Sequence, residues 1–296
     1  MESKARAKLV ARFRVTSGKG FRLKAIDPGD TDGFDGDKGD AEALLAEGTA
    51  RLAELQDKLY AQDRWAVLAI FQAMDAAGKD GAIKHVFTGL NPQGCTVEAF
   101  KAPSTTELDH DFLWRHALAL PRRGHIGIHN RSWYEEVLVA RVHPEVLARQ
   151  KLPPELETTH IWDERLEDIA AFERYLGRQG ILLLKFFLHI SPEEQKRRFL
   201  ARIEAAEKNW KFSAADVAER AHWQEYQSAY EQAIRATATE AAPWHVVPAD
   251  QKWFTRLVVS ETIAEAMEGL DLHYPKVAPE EKARLLAAKA TLLKED

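Results

Sequence analysis

The sequence predicts an α/β protein, a parallel β-sheet flanked by helices on both faces. Three observations predict it. Short continuous apolar runs, such as residues 65–71 and 181–190, suit strands buried on both sides. Helical stretches alternate with them, as crossover connections between parallel strands require. Capping signals open several of those stretches: Ser104-x-x-Glu107, and Ser191-Pro192-Glu193-Glu194 with proline at the favoured first helical position.

In chain order, the first 24 residues carry eight Lys or Arg and one Glu, while residues 27–42 carry seven acids and only Lys38. This reads as a basic arm followed by a solvated, glycine-containing loop. A calcium loop is excluded because Phe34 occupies the position of the third oxygen ligand after Asp30 and Asp32. A helix is expected over 40–62, with Leu44, Leu45, Leu52, Leu55 and Leu59 near helical spacing. Strands are expected over 65–71, 96–100, 126–129, 181–190 and 244–247. Helices are expected over 79–88, 105–119, 133–142, 163–178, 192–206, 214–237 and 279–294.

The 296 residues, 45% apolar and 29% charged, can bury one large core. Forty-one basic against 46 acidic residues, net −5, argue against a globally basic nucleic-acid binder. No apolar run is long enough to span a bilayer, and the charged N-terminus lacks the apolar segment of a secretory leader. With one cysteine, Cys95, the expectation is a cytoplasmic protein.

The most informative segment is the end of the first strand. Asp75, Ala76, Ala77, Gly78, Lys79, Asp80 and Gly81 form a loop of small residues that opens a helix at Gly-Lys. Such a loop turns backbone N–H groups toward one point, and the helix N-terminus and Lys79 add positive charge, which makes a phosphate cradle. The usual G-x-x-x-x-G-K-[ST] pattern is broken twice, by Ala73 at the first glycine and Asp80 at the hydroxyl residue. On these residues alone, a turn followed by a surface lysine stays open. Asp75 would repel phosphate unless a cation lay between, so it implies a metal.

Asn130-Arg131-Ser132-Trp133-Tyr134-Glu135-Glu136 follows the strand at 126–129, where open α/β sheets bind ligands. Asn130 and Glu135 offer oxygens to a metal or its waters, and Arg131 a planar fork to phosphate. The alternative is a helix cap at Asn130 and an i,i+4 pair of Arg131 with Glu135. A third cluster, Lys196, Arg197, Arg198, Arg202, Lys208 and Lys211, is either a solvated face or a mobile lid that closes positive charge over a polyanion. His125, His129 and Cys95 lack partners at ligand or nucleophile spacing and are expected to pack or hydrogen-bond.

Together these elements resemble the polyphosphate kinase 2 family over roughly residues 65–266. The resemblance rests on FQAMDAAGKDGAIKHV, GIHNRSWYEEVLVARVHPE, SPEEQKRRF, KNWKFSAADVAER, and the W-x-x-Y-x-x-A-Y of Trp223, Tyr226, Ala229 and Tyr230. It implies a P-loop kinase fold of the thymidylate kinase kind with a helical lid. Residue by residue, it implies that Asp75 holds Mg²⁺ and orients or deprotonates the accepting phosphate, and that Lys79 binds phosphates. Asn130 falls at the Walker B position, where many members have Asp. Arg131 would touch the transferring group, with Arg197 and Arg198 acting from the lid. Lys84, Arg202, Lys208 and Lys211 join the loop in binding polyphosphate.

Asn130 and the Tyr-Glu-Glu that follows resemble the subgroup called class III, whose members phosphorylate nucleoside monophosphates as well as diphosphates; Glu135 would then complete the metal site. The implied activity is reversible, Mg²⁺-assisted transfer from polyphosphate to AMP and ADP, with Mn²⁺ as an alternative ion. The implied assembly is a dimer or tetramer. The rivals are an ATP-dependent nucleoside monophosphate kinase and a low-turnover nucleotide-binding switch. The expected organisation is an arm and loop over 1–45, a phosphotransferase domain over 46–270 with its lid at about 191–222, and a helical extension over 271–296.

Overall fold

The computed structural model describes residues 3–207 and 209–295. Its chain runs α1 (Ser3–Phe13), β1 (Arg14–Val15), α2 (Lys38–Gln62), β2 (Ala66–Ala73), α3 (Lys79–Val86), β3 (Cys95–Ala99), α4 (Thr105–Leu108), α5 (Trp114–Leu118), β4 (Ile126–Asn130), α6 (Glu135–Val142) and α7 (Pro144–Ala148). It continues through α8 (Ile161–Arg178), β5 (Ile181–His189), α9 (Pro192–Glu204), α10 (Ala214–Glu219), α11 (Trp223–Thr237), β6 (Trp244–Pro248), α12 (Lys252–Glu268) and α13 (Pro279–Leu292). Among the described residues the sheet has six strands in the order β1-β6-β5-β2-β4-β3, parallel except for the β1–β6 pair. The central strands β2 and β5 are buried nearly throughout, which is why they read as unbroken apolar runs.

The expected strands are present, the short α7 is an addition, and the helices differ in four other places. The helix expected over 105–119 is two short ones, because Asp111 Oδ1 accepts from the Leu113 amide (2.9 Å) and draws the backbone into a turn. The stretch 214–237 breaks at the 3₁₀ turn Arg220–His222, where Arg220 reaches back to the Pro192 carbonyl (3.1 Å) and Gln195 Oε1 (2.6 Å). Helix α12 is an addition that shows no one-sided stripe, because it is apolar on nearly all sides: Phe254, Leu257, Val258, Val259, Ile263 and Ala264 are all buried. It packs closely on α2 through Gly48, where a Cβ would come within 2.7 Å of Ser260 Oγ.

The basic arm is the fourth difference. It forms α1, whose Leu9 and Phe13 enter the common core, Phe13 meeting Phe254 edge-on. Arg12 binds Asp30 (2.7 Å) and Asp32 (3.3 Å), so the arm and the acidic loop neutralise each other. A boundary at residue 45 falls inside α2, whose start is set by a capping box between Asp37 and Asp40. By contrast, α13 has no buried residue. No helix among the described residues is long and apolar enough to cross a membrane.

Candidate active site

Strand β2 delivers the chain into the phosphate loop at the C-terminal edge of the sheet. The loop turns at Ala76 (φ 59°) and Gly78 (φ 106°), and the Gly78 carbonyl accepts the first helical bond of α3 from Ala82 (2.9 Å). Glycine takes that conformation without penalty, whereas alanine does so at about 1–3 kcal/mol. The strain is held from two sides. Lys79 Nζ returns to the Ala73 carbonyl (3.0 Å), and Gln195 Nε2 from α9 donates to the Asp75 carbonyl (2.9 Å). Burial pulls the Lys79 pKa down, and Arg131 lowers it further, while Asp75, Glu135 and Asp80 act against both. Five charges therefore meet at one point.

Arg198 does something other than the lid role expected of it. Its Nε donates to Glu194 (2.6 Å), Nη1 to the carbonyls of Ala76 (3.1 Å) and Ala77 (2.7 Å), and Nη2 to those of Ala249 (2.6 Å) and Asp250 (3.1 Å). All of its nitrogens are engaged with oxygens of the protein. It fastens the phosphate loop to the end of β6 and borders the ligand space. Arg197 and Arg202, the other arginines of α9, also line that space.

At the end of β4, Arg131 takes a left-handed conformation (φ 68°), and its amide donates to the Phe71 carbonyl (3.0 Å), binding this turn to β2. The guanidinium lies between two carboxylates, Glu135 at 2.9 Å and Asp75 at 3.5 Å. Glu135, and after it Asp75, hold it firmly charged against burial. Glu135 thus stands behind Arg131 and outside the cleft lining, where the sequence placed a metal ligand. Asn130 Nδ2 donates to Asp80 Oδ1 (2.8 Å) across the two loops.

Behind the turn sits a buried network. Trp133 Nε1 (3.3 Å) and Tyr134 Oη (2.6 Å) donate to Glu173 Oε1, and Lys185 Nζ donates to Glu173 Oε2 (2.5 Å) and the Thr237 carbonyl (2.9 Å). Lys185 and Glu173 have no direct access to the cleft and neutralise each other inside the core. His129 is buried against Phe100, His116 and Trp133 and pushed down to about 4 by burial, and burial pushes the Cys95 thiol up to about 11.

The elements enclose an open cleft of about 760 Å³. Among the described residues it is lined by eight cations (Lys79, Lys101, Arg131, Arg197, Arg198, Arg202, Lys252, Arg256) against two acids, Asp75 and Asp80. Such an excess of positive charge suits a polyanion. Lys101, Lys252 and Arg256 were missed in the sequence. The signal for two of them was present, since Lys252 and Arg256 are i,i+4 on the helix that follows the last strand. Lys84 is exposed on α3 outside the lining, Lys208 lies outside the described residues, and Lys211 falls in the 3₁₀ turn Asn209–Lys211.

Among the described residues no three His, Cys, Asp or Glu side chains converge as a metal cage. Mg²⁺ is usually held by one or two carboxylates with phosphate oxygens and water, and the all-oxygen set of Asp75, Asp80 and Asn130 on the cleft fits that demand.

A family model, Polyphosphate kinase 2, matches residues 35–274. An ADP-polyphosphate phosphotransferase of Rhodopseudomonas palustris is 50% identical, with 96% of this chain and 98% of that protein covered. An AMP/ADP-polyphosphate phosphotransferase of Meiothermus ruber is 45% identical, with 90% and 95% covered. The crystal structure of polyphosphate kinase 2 from Arthrobacter aurescens superposes with a TM-score of 0.85 at 42% identity, covering 94% of this chain and 96% of that one.

Proposed function

The chain belongs to the polyphosphate kinase 2 family, and on that premise we propose that it transfers the terminal phosphoryl group of polyphosphate to AMP and ADP, giving ADP and ATP. The observation that carries this reading is the cleft itself. Eight cations spread over the loop, the ends of β3 and β4, α9 and α12 suit a long chain of phosphates better than a donor with one compact triphosphate.

Phosphoryl transfer asks the protein mainly to align the reacting oxygens and neutralise their charge. The loop backbone and Lys79 hold the phosphates at the reacting end. Asp75 faces the acceptor oxygen and orients it. Arg131 turns from Glu135 toward the moving group, and its pairing with Glu135 keeps the fork aimed until then. Arg197, Arg202, Lys101, Lys252 and Arg256 hold the rest of the polyphosphate. Mg²⁺, or Mn²⁺ in its place, would be held among Asp75, Asp80 and Asn130 and would supply charge neutralisation on the phosphate oxygens. The exposed leucines 285, 286, 292 and 293 of the C-terminal segment support assembly as a homo-oligomer.

The test is a nucleotide time course with Mg²⁺, long-chain polyphosphate and AMP, and no ATP added. ADP followed by ATP is the expected result. ATP formed only when ADP is supplied rejects AMP as acceptor. No product unless ATP replaces polyphosphate as donor would make the protein a nucleoside monophosphate kinase instead.

A further inference from the structure

Two departures from the usual phosphate-loop pattern meet in this structure. Asp80 stands where that pattern has a hydroxyl residue, and Asn130 ends the neighbouring strand with an uncharged side chain. They are 50 residues apart in sequence, and Asn130 Nδ2 donates to Asp80 Oδ1 at 2.8 Å. An ionised carboxylate can only accept, so the amide must turn its NH₂ toward Asp80 and its own oxygen away. Asp80 Oδ2 is left for a cation. Asp80 lies in the first turn of α3, and both it and Asp75 act on the Lys79 ammonium from the cleft.

We propose that these departures are a single exchange: Asp80 supplies the anionic metal ligand that position 130 lacks, and Asn130 orients it. This deepens, and rests on, the phosphoryl-transfer reading above. Without Asp80, Asp75 would be the sole carboxylate on the cleft lining among the described residues, and Asp75 already answers Arg131 at 3.5 Å. A hard divalent ion is then short of negative ligands on the protein side. With Asp80 in place, one carboxylate approaches from each end of the loop, and the Asn130 bond fixes the rotation of the second. Orienting groups of this kind normally sit behind metal ligands.

The test is Mn²⁺ binding, followed by the electron paramagnetic resonance of free Mn²⁺, on the full chain alone and with AMP. No polyphosphate and no turnover are involved, so a wrong donor assignment would appear in the nucleotide time course and leave this readout untouched. Asp80→Asn preserves shape and can still bond Asn130. It is expected to raise the Mn²⁺ dissociation constant about tenfold, as is Asp75→Asn. Combining Asp80→Asn with Asn130→Asp should return it to within about threefold of the parent. Loss with Asp75→Asn but none with Asp80→Asn overturns the proposal while leaving the functional reading intact. A double variant that stays weak overturns the exchange, and so does a parent chain that binds no Mn²⁺.

Discussion

Arg197 and Arg198 are neighbours in the chain with opposite surroundings. The side chain of Arg198 is 6% exposed and engaged with Glu194 and four backbone carbonyls; that of Arg197 is 69% exposed and pairs only with Glu194 among the described residues. One step along a helix turns the side chain by about 100°, enough to send one cation into the fold and its neighbour to the ligand space. The buried one builds the phosphate loop. It cannot be lent to a substrate without leaving carbonyls unpartnered in the interior. The exposed one loses little when a phosphate replaces its carboxylate, since surface pairs are worth about 0–1 kcal/mol.

Removing Arg198 should break the molecule most. Arg198→Ala leaves the carbonyls of Ala76, Ala77, Ala249 and Asp250 without their donor, while Glu194 keeps Arg197. The expected loss is about 3–5 kcal/mol in denaturant unfolding, and of activity with it. Arg198→Lys keeps the charge without the fork and should fall between the two. An Arg198→Ala protein of unchanged stability would erase the contrast with Arg197. Asp75→Asn should lower turnover by at least about a hundredfold while leaving unfolding close to the parent, because its side chain is only half-buried. Unchanged turnover would remove Asp75 from the reaction.

The charge on Lys79 is next. It binds phosphate only when protonated, and burial with Arg131 lowers its pKa. Raising the pH should therefore cost phosphate affinity earlier than for an ordinary lysine. Residual activity of Lys79→Arg should extend to higher pH, and a pH profile with the same alkaline limb in both proteins would contradict this. Arg197→Ala is the mildest change, expected to leave stability within about 0.5 kcal/mol, as checked by thermal unfolding.

Much of this was legible in the sequence for physical reasons. Unbroken apolar strands announced a parallel sheet, and Gly78-Lys79 after a strand announced the loop. What could not be read was the division of labour within a run of like charges. Lys196-Arg197-Arg198 looks uniform until the helix is packed against β6. Likewise Arg131 with Glu135 satisfied both the ligand reading and the i,i+4 reading, and the structure shows the pair beside Asp75. The first helix was hidden by its eight-cation context, since Leu9 and Phe13 are too few to mark a core-facing stripe without the tertiary partners that bury them. Lys101 carries no local signal at all; only the proximity of the β3 and β4 ends brings it to the cleft.

The central claim is that the outward cations hold the polyphosphate donor while the buried ones build the site. It is tested most directly by separate Michaelis constants for polyphosphate and AMP in an Arg197→Ala/Lys252→Ala double variant, both positions being exposed on the cleft rim. The constant for polyphosphate should rise about tenfold, with that for AMP changing by less than about twofold. Equal rises in both, or none in either, would contradict it.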